Sequence, residues 1–190
     1  MAETLTFRPV TERTVGDFEA LFGSKGAPGY CWCMAWRATP TELKDAKGPA
    51  RRRQMLERIA AGVPVGLLAY KGGEPAGWVS VAPKSTFRGL GGTPETEGVW
   101  SLTCMFVPRD RRGTGLSARL IAAAAEHARS QGAKVIEAYP VDPDSPSYRF
   151  MGFVPAFTRA GFTPAGREGK RRHVMRLSFV NESQHGIEIR

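Results

Sequence analysis

Hydrophobic and polar residues follow two periods along the chain, and together they predict a mixed α/β (α+β) domain. A period of two with β-branched and aromatic residues predicts strands, most clearly over residues 99–107. Apolar residues at helical spacing predict helices, most clearly in the alanine-rich stretch 116–131, which ends at Gly132. Further strands are expected over residues 4–11, 63–70, 75–81, 133–141, 162–165 and 173–179, and further helices over 14–22, 49–62 and 146–160, the last of them cut by Gly152 and Pro155. This order predicts a mostly antiparallel central sheet flanked by helices, with early hairpins and one strand–helix–strand crossover.

The length of the chain predicts one folded unit. Residues 1–180 are expected to form a single domain and residues 181–190 a C-terminal tail. No run approaches the ~18 apolar residues that a membrane span needs, and the N-terminus resembles no signal peptide. The three cysteines, an odd number, fit a reducing compartment, so a cytoplasmic location is expected. No metal is expected, because Cys31 and Cys33 lack a second pair of ligands at metal-site spacing.

The chain is basic, with a formal net charge of +9 and a pI of about 9.9. Such a balance favours anionic partners: nucleic acid, an acidic membrane surface or a phosphorylated small molecule. Charge alone does not choose among them. One basic cluster, residues 109–112, lies directly before two glycines and so draws attention to that segment.

Residues 107–118, VPRDRRGTGLSA, lie between the clearest strand and the clearest helix. Gly113 and Gly115 let backbone amides turn toward a ligand with no Cβ in the way. The start of the following helix adds unpaired N–H groups and the positive end of its dipole, which suit a pyrophosphate. Arg111 and Arg112 add charge. The alternative is an exposed turn with a solvated basic run.

The same residues also fit a dinucleotide-binding fingerprint. Residues 113–118 match G-x-G-x-x-G/A, and Glu137 lies about where a ribose-binding acid belongs. Two observations weaken this interpretation. Five residues, four of them charged, separate Val107 from Gly113, and too little chain follows Val141 for further parallel units.

The segment Arg112-Gly113-Thr114-Gly115-Leu116-Ser117 resembles the Q/R-x-x-G-x-G/A motif of the GNAT family of N-acetyltransferases, with a small Ser in the last position. The resemblance continues into Met105-Phe106-Val107 upstream and into residues 157–162 downstream, and the element order over residues 4–179 fits the family's fold. It implies a GNAT-like sheet whose crossover carries the acetyl-CoA loop.

By the resemblance, acetyl-CoA is the cosubstrate and no metal takes part. The backbone of Met105 and Val107 would pair with the pantetheine arm, and the amides of residues 112–117 would hold the pyrophosphate. The implied coenzyme-binding residues are Met105, Phe106, Val107, Arg111, Arg112, Gly113, Thr114, Gly115, Leu116 and Ser117.

Strict alternation along residues 99–107 would divide the strand into two faces. An apolar face would carry Trp100, Leu102, Cys104 and Phe106, and the opposite face Ser101, Thr103 and Met105. The second face is expected to bind the acceptor. Cys104 would lie on the apolar face, away from the acceptor, which favours direct transfer of the acetyl group over a covalent acetyl-cysteine intermediate. The expected substrate-binding residues are Trp32, Trp36, Ser101, Thr103 and Tyr139; the aromatic segment around Trp32 and Trp36 is either a packing segment or a pocket wall.

Candidates for acid–base chemistry are few. The family often has a Tyr where this chain has Phe157, so Tyr148 is the substitute acid, with simple packing as its alternative. Glu137, Asp142 and Glu97 are candidate bases, and apolar neighbours are expected to raise the pKa of Glu137. For each of these carboxylates the alternative is a salt-bridged or solvent-facing group.

The leading functional hypothesis is an acetyltransferase acting on a primary amine of a small molecule. An aminoglycoside-type antibiotic fits if Glu97, Glu137, Asp142 and Asp144 form acidic pocket walls. Other hypotheses are a protein or peptide N-acetyltransferase, a non-catalytic CoA sensor and, less favoured, a nucleic-acid-binding module, since no recognition helix is evident. No membrane partner is expected, and a homodimer is allowed.

Overall fold

The computed structural model describes residues 4–179; residues 1–3 and the predicted tail, residues 181–190, lie outside the described residues, as does residue 180. A seven-stranded sheet, in the order β1-β2-β3-β4-β5-β7-β6, runs through the molecule. Its strands are β1 Leu5–Pro9, β2 Leu67–Lys71, β3 Glu74–Pro83, β4 Val99–Phe106, β5 Val135–Ala138, β6 Thr163–Glu168 and β7 Arg172–Ser178. The helices are α1 Val15–Gly23, α2 Gly48–Ala60, α3 Leu116–Ser130 and α4 Val154–Arg159.

One pair of neighbouring strands is parallel. β4 and β5 run side by side in the same direction and are joined through α3, while the other neighbouring strands pair antiparallel. The prediction of a mostly antiparallel sheet with one β-α-β crossover is therefore confirmed. None of the helices in residues 4–179 is long and apolar enough to cross a bilayer.

Helices cover both faces of the sheet. The stripe of Leu120, Ile121, Ala124 and Ala128 packs α3 against one face, together with Phe157 of α4. Phe18, Leu21 and Phe22 of α1 and Met55 of α2 pack against the other face. The glycine loop at the start of α3 is thereby fixed at the end of β4.

A β-bulge in β4 changes which side chains share a face. Ser80 of β3 pairs with Cys104 and Val81 pairs with Leu102, so Thr103 is an extra residue that has no paired residue in β3. Trp100, Leu102 and Met105 consequently contact the α3 core, whereas Cys104 and Phe106 contact the α1 core. The strictly alternating faces expected for this strand are therefore wrong beyond Leu102.

The helix predicted over residues 146–160 is interrupted. A 3-10 turn, Arg149–Met151, precedes α4, and Gly152 between them has a φ of 85°. A Cβ on Gly152 would come 2.7 Å from Cε of Met105 and 2.8 Å from Cε2 of Phe157. This close approach packs the segment between β5 and α4 against the end of β4.

Candidate active site

Only about half of the β4 edge that faces β5 is paired with that strand. β5 pairs with β4 over Val99–Leu102, and within residues 4–179 no strand continues this pairing beyond Leu102. The bulge at Thr103 lies at the point where the two strands separate. Backbone N–H and C=O groups on this edge are therefore available to an extended ligand, which could pair as an added strand does.

A groove of about 550 Å³ runs beside this open edge. Five of the predicted coenzyme residues line it: Met105, Phe106, Val107, Arg112 and Ser117. The sequence analysis did not single out the other lining residues, which are Gly26, Ala27, Pro28, Tyr30, Ile121, Arg149, Phe150, Gly152, Phe153 and Ala156. Tyr30 and Phe150 are large exposed hydrophobic residues, but exposure is not visible in a sequence.

The glycine loop has the conformation that a phosphate-binding turn needs. Gly113 and Gly115 have φ values of 76° and 79°, a region that residues with a Cβ disfavour. Thr114 Oγ1 donates a hydrogen bond to the carbonyl of Arg111 (2.7 Å), and Arg112 Nε donates to that of Val107 (3.1 Å). No side chain caps the start of α3 at Gly115, so its first amides remain for a ligand.

The predicted coenzyme residues divide between two cavities. Arg111, Thr114 and Leu116 line a second pocket of about 310 Å³ on the β2–β3 side of the loop, where Lys71 and Arg119 are neighbours. The loop thus has basic residues on both sides, and the segment from Met105 to Ser117 fits a long molecule with a diphosphate in its middle.

On the face of the sheet opposite α3, polar side chains form a buried layer, called here the acceptor face, that includes Ser101, Thr103, Glu137, Tyr139 and Arg172. Tyr139 Oη donates a hydrogen bond to Glu137 Oε1 (2.7 Å) and lies 3.1 Å from Ser101 Oγ. Thr103 Oγ1 donates to Ser80 Oγ (3.0 Å). The structure therefore brings together Ser101, Tyr139 and Glu137, as expected for one polar site.

Glu137 differs from the expectation. Its carboxylate is fully buried and ion-paired with Lys84 and with Arg176, whose Nε lies 2.8 Å from Oε2. Burial alone would raise its pKa, but hydrogen bonds from Lys84, Tyr139 and Arg176 outweigh burial and hold the pKa below its ordinary value. The predicted raised pKa is wrong, and the group is an ionised anchor. Burial and Glu137 together raise the pKa of Tyr139.

Two buried arginines, which the sequence analysis missed, join the acceptor face. Arg37 is 1% exposed, donates to Val65 O (2.9 Å) and Ser80 Oγ (3.0 Å), and stacks on Phe87. Burial lowers its pKa to about 10. Arg172 is 8% exposed and donates to the carbonyl of Leu90 (2.8 Å). No local motif marks either residue, because each contacts residues that are distant in the sequence.

The two candidate tryptophans have different environments. Trp32 is buried in the α1 core, stacked on Phe22 with ring centroids 5.2 Å apart, so its expected role as a pocket wall is wrong. Positive φ values at Trp32 and Cys33 turn the segment back onto α1. Trp36 is partly buried and lies 6.3 Å from the ring of Tyr148 with the guanidinium of Arg172 over it, so its role in acceptor binding stays a prediction.

The remaining acid–base candidates are dispersed. Asp142 Oδ1 lies 3.0 Å from His173 Nε2, close to the acceptor face. Tyr148 is 38% exposed. Glu97 is exposed beside Gly98 at the opposite end of β4, and Asp144 is exposed, so the expected acidic walls do not form. Within residues 4–179, no cluster of three or more His, Cys, Asp and Glu side chains could hold a metal ion.

The fold, the open strand edge and the glycine loop agree with the family resemblance seen in the sequence. The family model described as the acetyltransferase (GNAT) family matches residues 31–153, and the chain belongs to this family. The predicted family resemblance is confirmed.

Curated relatives and solved structures agree with this assignment. The chain is 32% identical over 105 residues to an L-methionine sulfoximine/L-methionine sulfone acetyltransferase of Pseudomonas paraeruginosa, covering 54% of this chain and 53% of that protein, and 31% identical over 103 residues to its Pseudomonas aeruginosa counterpart. It therefore spans about half the length of these relatives.

Aminoglycoside acetyltransferase AAC(6')-Ib, solved with paromomycin and acetyl-CoA, is 19% identical with a TM-score of 0.61, covering 93% of this chain and 94% of that chain. A ribosomal-protein-alanine N-acetyltransferase of Brucella melitensis is also 19% identical, with a TM-score of 0.55, covering 92% and 99%. At these identities the two structures establish a shared fold.

Proposed function

We propose that the protein transfers the acetyl group of acetyl-CoA to a primary amine of a small molecule by direct attack. The observation that carries the proposal is the open edge of β4 beside a groove that leads to the glycine loop. An extended coenzyme arm and a diphosphate are what these two features bind best.

The residues that would hold the coenzyme follow from this geometry. The amides of residues 112–117 would bind the pyrophosphate, and the backbone of Met105 and Val107 would pair with the pantetheine arm. The coenzyme supplies an activated thioester. A strand amide near Met105 would donate a hydrogen bond to the thioester oxygen, where negative charge develops during attack.

The amine must lose a proton before it attacks. For an alkylamine with a pKa near ~10.4, this costs roughly 4 kcal/mol at neutral pH. Buried cations near the acceptor lower an ammonium pKa, and Lys84, Arg172 and Arg176 supply them. Because Glu137 is fully engaged, Asp142 with its partner His173 is the better candidate base, and Tyr148 remains the candidate acid for the departing thiolate.

The test is an assay of free-thiol release from acetyl-CoA with amino acids, aminoglycosides, polyamines and peptides as acceptors. We expect release with at least one small amine and thermal stabilisation of the protein by CoA alone. Stabilisation without turnover on any amine would support the CoA sensor instead. No stabilisation by CoA would overturn the proposal.

An aminoglycoside acceptor is less favoured than a small monoamine. The acidic walls that would attract such a polycation are not formed, since Glu97 lies at the far end of β4 and Glu137 is neutralised by two cations. A peptide acceptor and a homodimer stay predictions. We further propose a cytoplasmic location, because Cys31, Cys33 and Cys104 are all free thiols.

A further inference from the structure

We propose that the acceptor is an amine that also carries a carboxylate, such as a free amino acid, and that Arg172 binds this carboxylate. The inference rests on the proposed acetyl transfer and adds to it the chemical class of the acceptor. Its basis is a buried arginine without an ion-pair partner, in a layer with several further cations at the end of the sheet where β4 and β5 separate.

Arg172 is the first residue of β7. Alternation along this strand places Arg172 on the same face as Val174, which packs against Tyr139, whereas Met175 belongs to the α3 core. The N–H of His173 donates to the carbonyl of Pro140 (2.8 Å), which fixes the start of β7 beside the segment that follows β5. Arg172 therefore lies at the end of the acceptor face where β4 and β5 separate.

The guanidinium of Arg172 is held but not neutralised. It lies over the rings of Trp36 (4.5 Å) and Tyr148 (5.6 Å) and donates one hydrogen bond to Leu90 O. Among the side chains of residues 4–179, no carboxylate lies within 4.0 Å of it. Buried charges in proteins are normally paired. A guanidinium has five N–H groups, so those that do not bond Leu90 can donate two parallel hydrogen bonds to a carboxylate.

The surroundings of Arg172 favour an anion. Arg37, Lys84 and Arg176 are further cations on this face, and its buried carboxylate, Glu137, is already bound by the last two. The other nearby carboxylate, Glu168, lies opposite Arg172 in the β6–β7 pair and accepts a hydrogen bond from the amide of Gly92. A polycation would meet repulsion here, whereas a zwitterion gains from its carboxylate. The same cations lower the pKa of the amine beside that carboxylate, so they assist attack as well as binding.

The aromatic segment beside Arg172 connects it to the coenzyme groove. The ring of Tyr148 lies 6.3 Å from that of Phe150, which lines the groove. An acceptor held at Arg172 would thus lie next to the wall that separates the acceptor face from the coenzyme.

The first test compares acids with their amides on the unaltered protein. L-methionine sulfone, L-methionine and L-glutamate would each be assayed against the matching α-carboxamide in the thiol-release assay. We expect kcat/KM to be about 10- to 100-fold higher for at least one free acid than for its amide, because one charge-assisted contact is lost in the amide. Equal or better turnover of the amides would overturn the inference while leaving acetyl transfer intact.

The second test is Arg172→Met, which keeps an unbranched apolar stem between the two rings and removes the charge. We expect KM for the acid to rise about 10- to 100-fold with little change in kcat, while the KM for the amide and that for acetyl-CoA stay constant. Arg172→Lys should raise KM for the acid less than Arg172→Met does, since lysine keeps the positive charge but lacks the planar guanidinium that binds both carboxylate oxygens. Arg171→Met, an exposed neighbour with the same charge change, is the matched control and should behave as the parent protein.

Two results separate the failure of this inference from that of acetyl transfer. Equal losses for acid and amide in Arg172→Met would assign Arg172 a structural role and overturn the inference. If circular dichroism shows that the variant does not fold, or if no amine is turned over, calorimetric binding of the acids and amides to the CoA-saturated parent protein decides it. Absence of CoA binding would instead be the failure of the proposed function.

Discussion

Gly115 combines a left-handed backbone with open space around its Cβ position. No atom lies within 4 Å of a Cβ built there, so a side chain costs mainly backbone strain, of about 1 kcal/mol. We predict that Gly115→Glu leaves the protein folded and abolishes CoA binding, because its carboxylate would occupy the phosphate position. Calorimetry with CoA and a thermal melt measure both effects.

Gly132 provides a matched control for that variant. It has a φ of 82°, equally open surroundings and a position just beyond the other end of α3. Gly132→Glu introduces the same strain and the same charge away from the loop, so CoA affinity should be unchanged. Unchanged affinity in Gly115→Glu itself would contradict the assignment of the loop.

Glu137 is the anion at the centre of the acceptor face. Replacing it by Gln removes the counterion of two buried or half-buried cations, Lys84 and Arg176, and leaves both uncompensated. We predict that Glu137→Gln lowers the free energy of unfolding by about 3 kcal/mol or more, measured by urea denaturation. Glu126→Gln, which breaks an exposed pair with Arg129, should change it little; similar effects from both variants would argue against Glu137 as an anchor.

Among the structural elements, the connection between α1 and α2 is fixed by one carboxylate. Glu42 accepts two hydrogen bonds of 2.8 Å from Arg58 and one of 2.7 Å from the amide of Thr39, and Arg58 also donates to the carbonyl of Arg37. The Arg58 guanidinium lowers the pKa of Glu42 to about 2. This pair therefore holds the loop that carries Trp36 and Arg37.

A pH-dependent stability follows from the lowered pKa of Glu42. The folded carboxyl titrates below its ordinary value of 4.5, so its stabilisation is complete above that pH and is lost as the pH falls toward 2. We predict that Glu42→Gln costs about 1–2 kcal/mol at pH 7, allowing for its partial exposure, and nothing near pH 2. Urea denaturation at several pH values measures this; Glu57→Gln, which removes an exposed pair with Arg53, is the matched control and should change the free energy of unfolding little at pH 7.

The sequence predicted the elements with strong local signals. The crossover β4–α3–β5 and its glycine loop are marked by period, composition and glycine spacing over a short stretch. The bulge at Thr103 carries no such mark, because the polar–apolar alternation of residues 100–104 continues through it. The turn at Trp32 was also missed, since positive φ at a tryptophan runs against residue preference and is imposed by packing on α1.

At the scale of the whole molecule, the net charge of +9 should act on an anionic coenzyme over distances beyond direct contact. We predict that raising the salt concentration from about 50 to about 200 mM increases the KM for acetyl-CoA several-fold with kcat unchanged. Initial rates of thiol release at fixed acceptor give both constants. A KM that does not respond to salt would mean that the basic loop residues do not contact the coenzyme's phosphates.

The cations of the acceptor face could not be predicted because they come from parts of the chain far from the residues they contact. Lys84 reaches Glu137 across 53 positions, and Arg172 reaches Leu90 across 82. Sequence periodicity reports which face a residue occupies, not which distant residue it meets. Hence Arg37 and Arg172 were missed and the expected acidic walls were wrong, while the coenzyme-binding residues stay a prediction.

The family model ends at residue 153, well before β7 begins at Arg172. The coenzyme site and the acceptor-binding arginine proposed above therefore belong to separate stretches of polypeptide, and the second stretch is the hairpin of β6 and β7. Under these two proposals, exchanging this hairpin for that of another protein would change which amine is accepted and would leave coenzyme binding as it was.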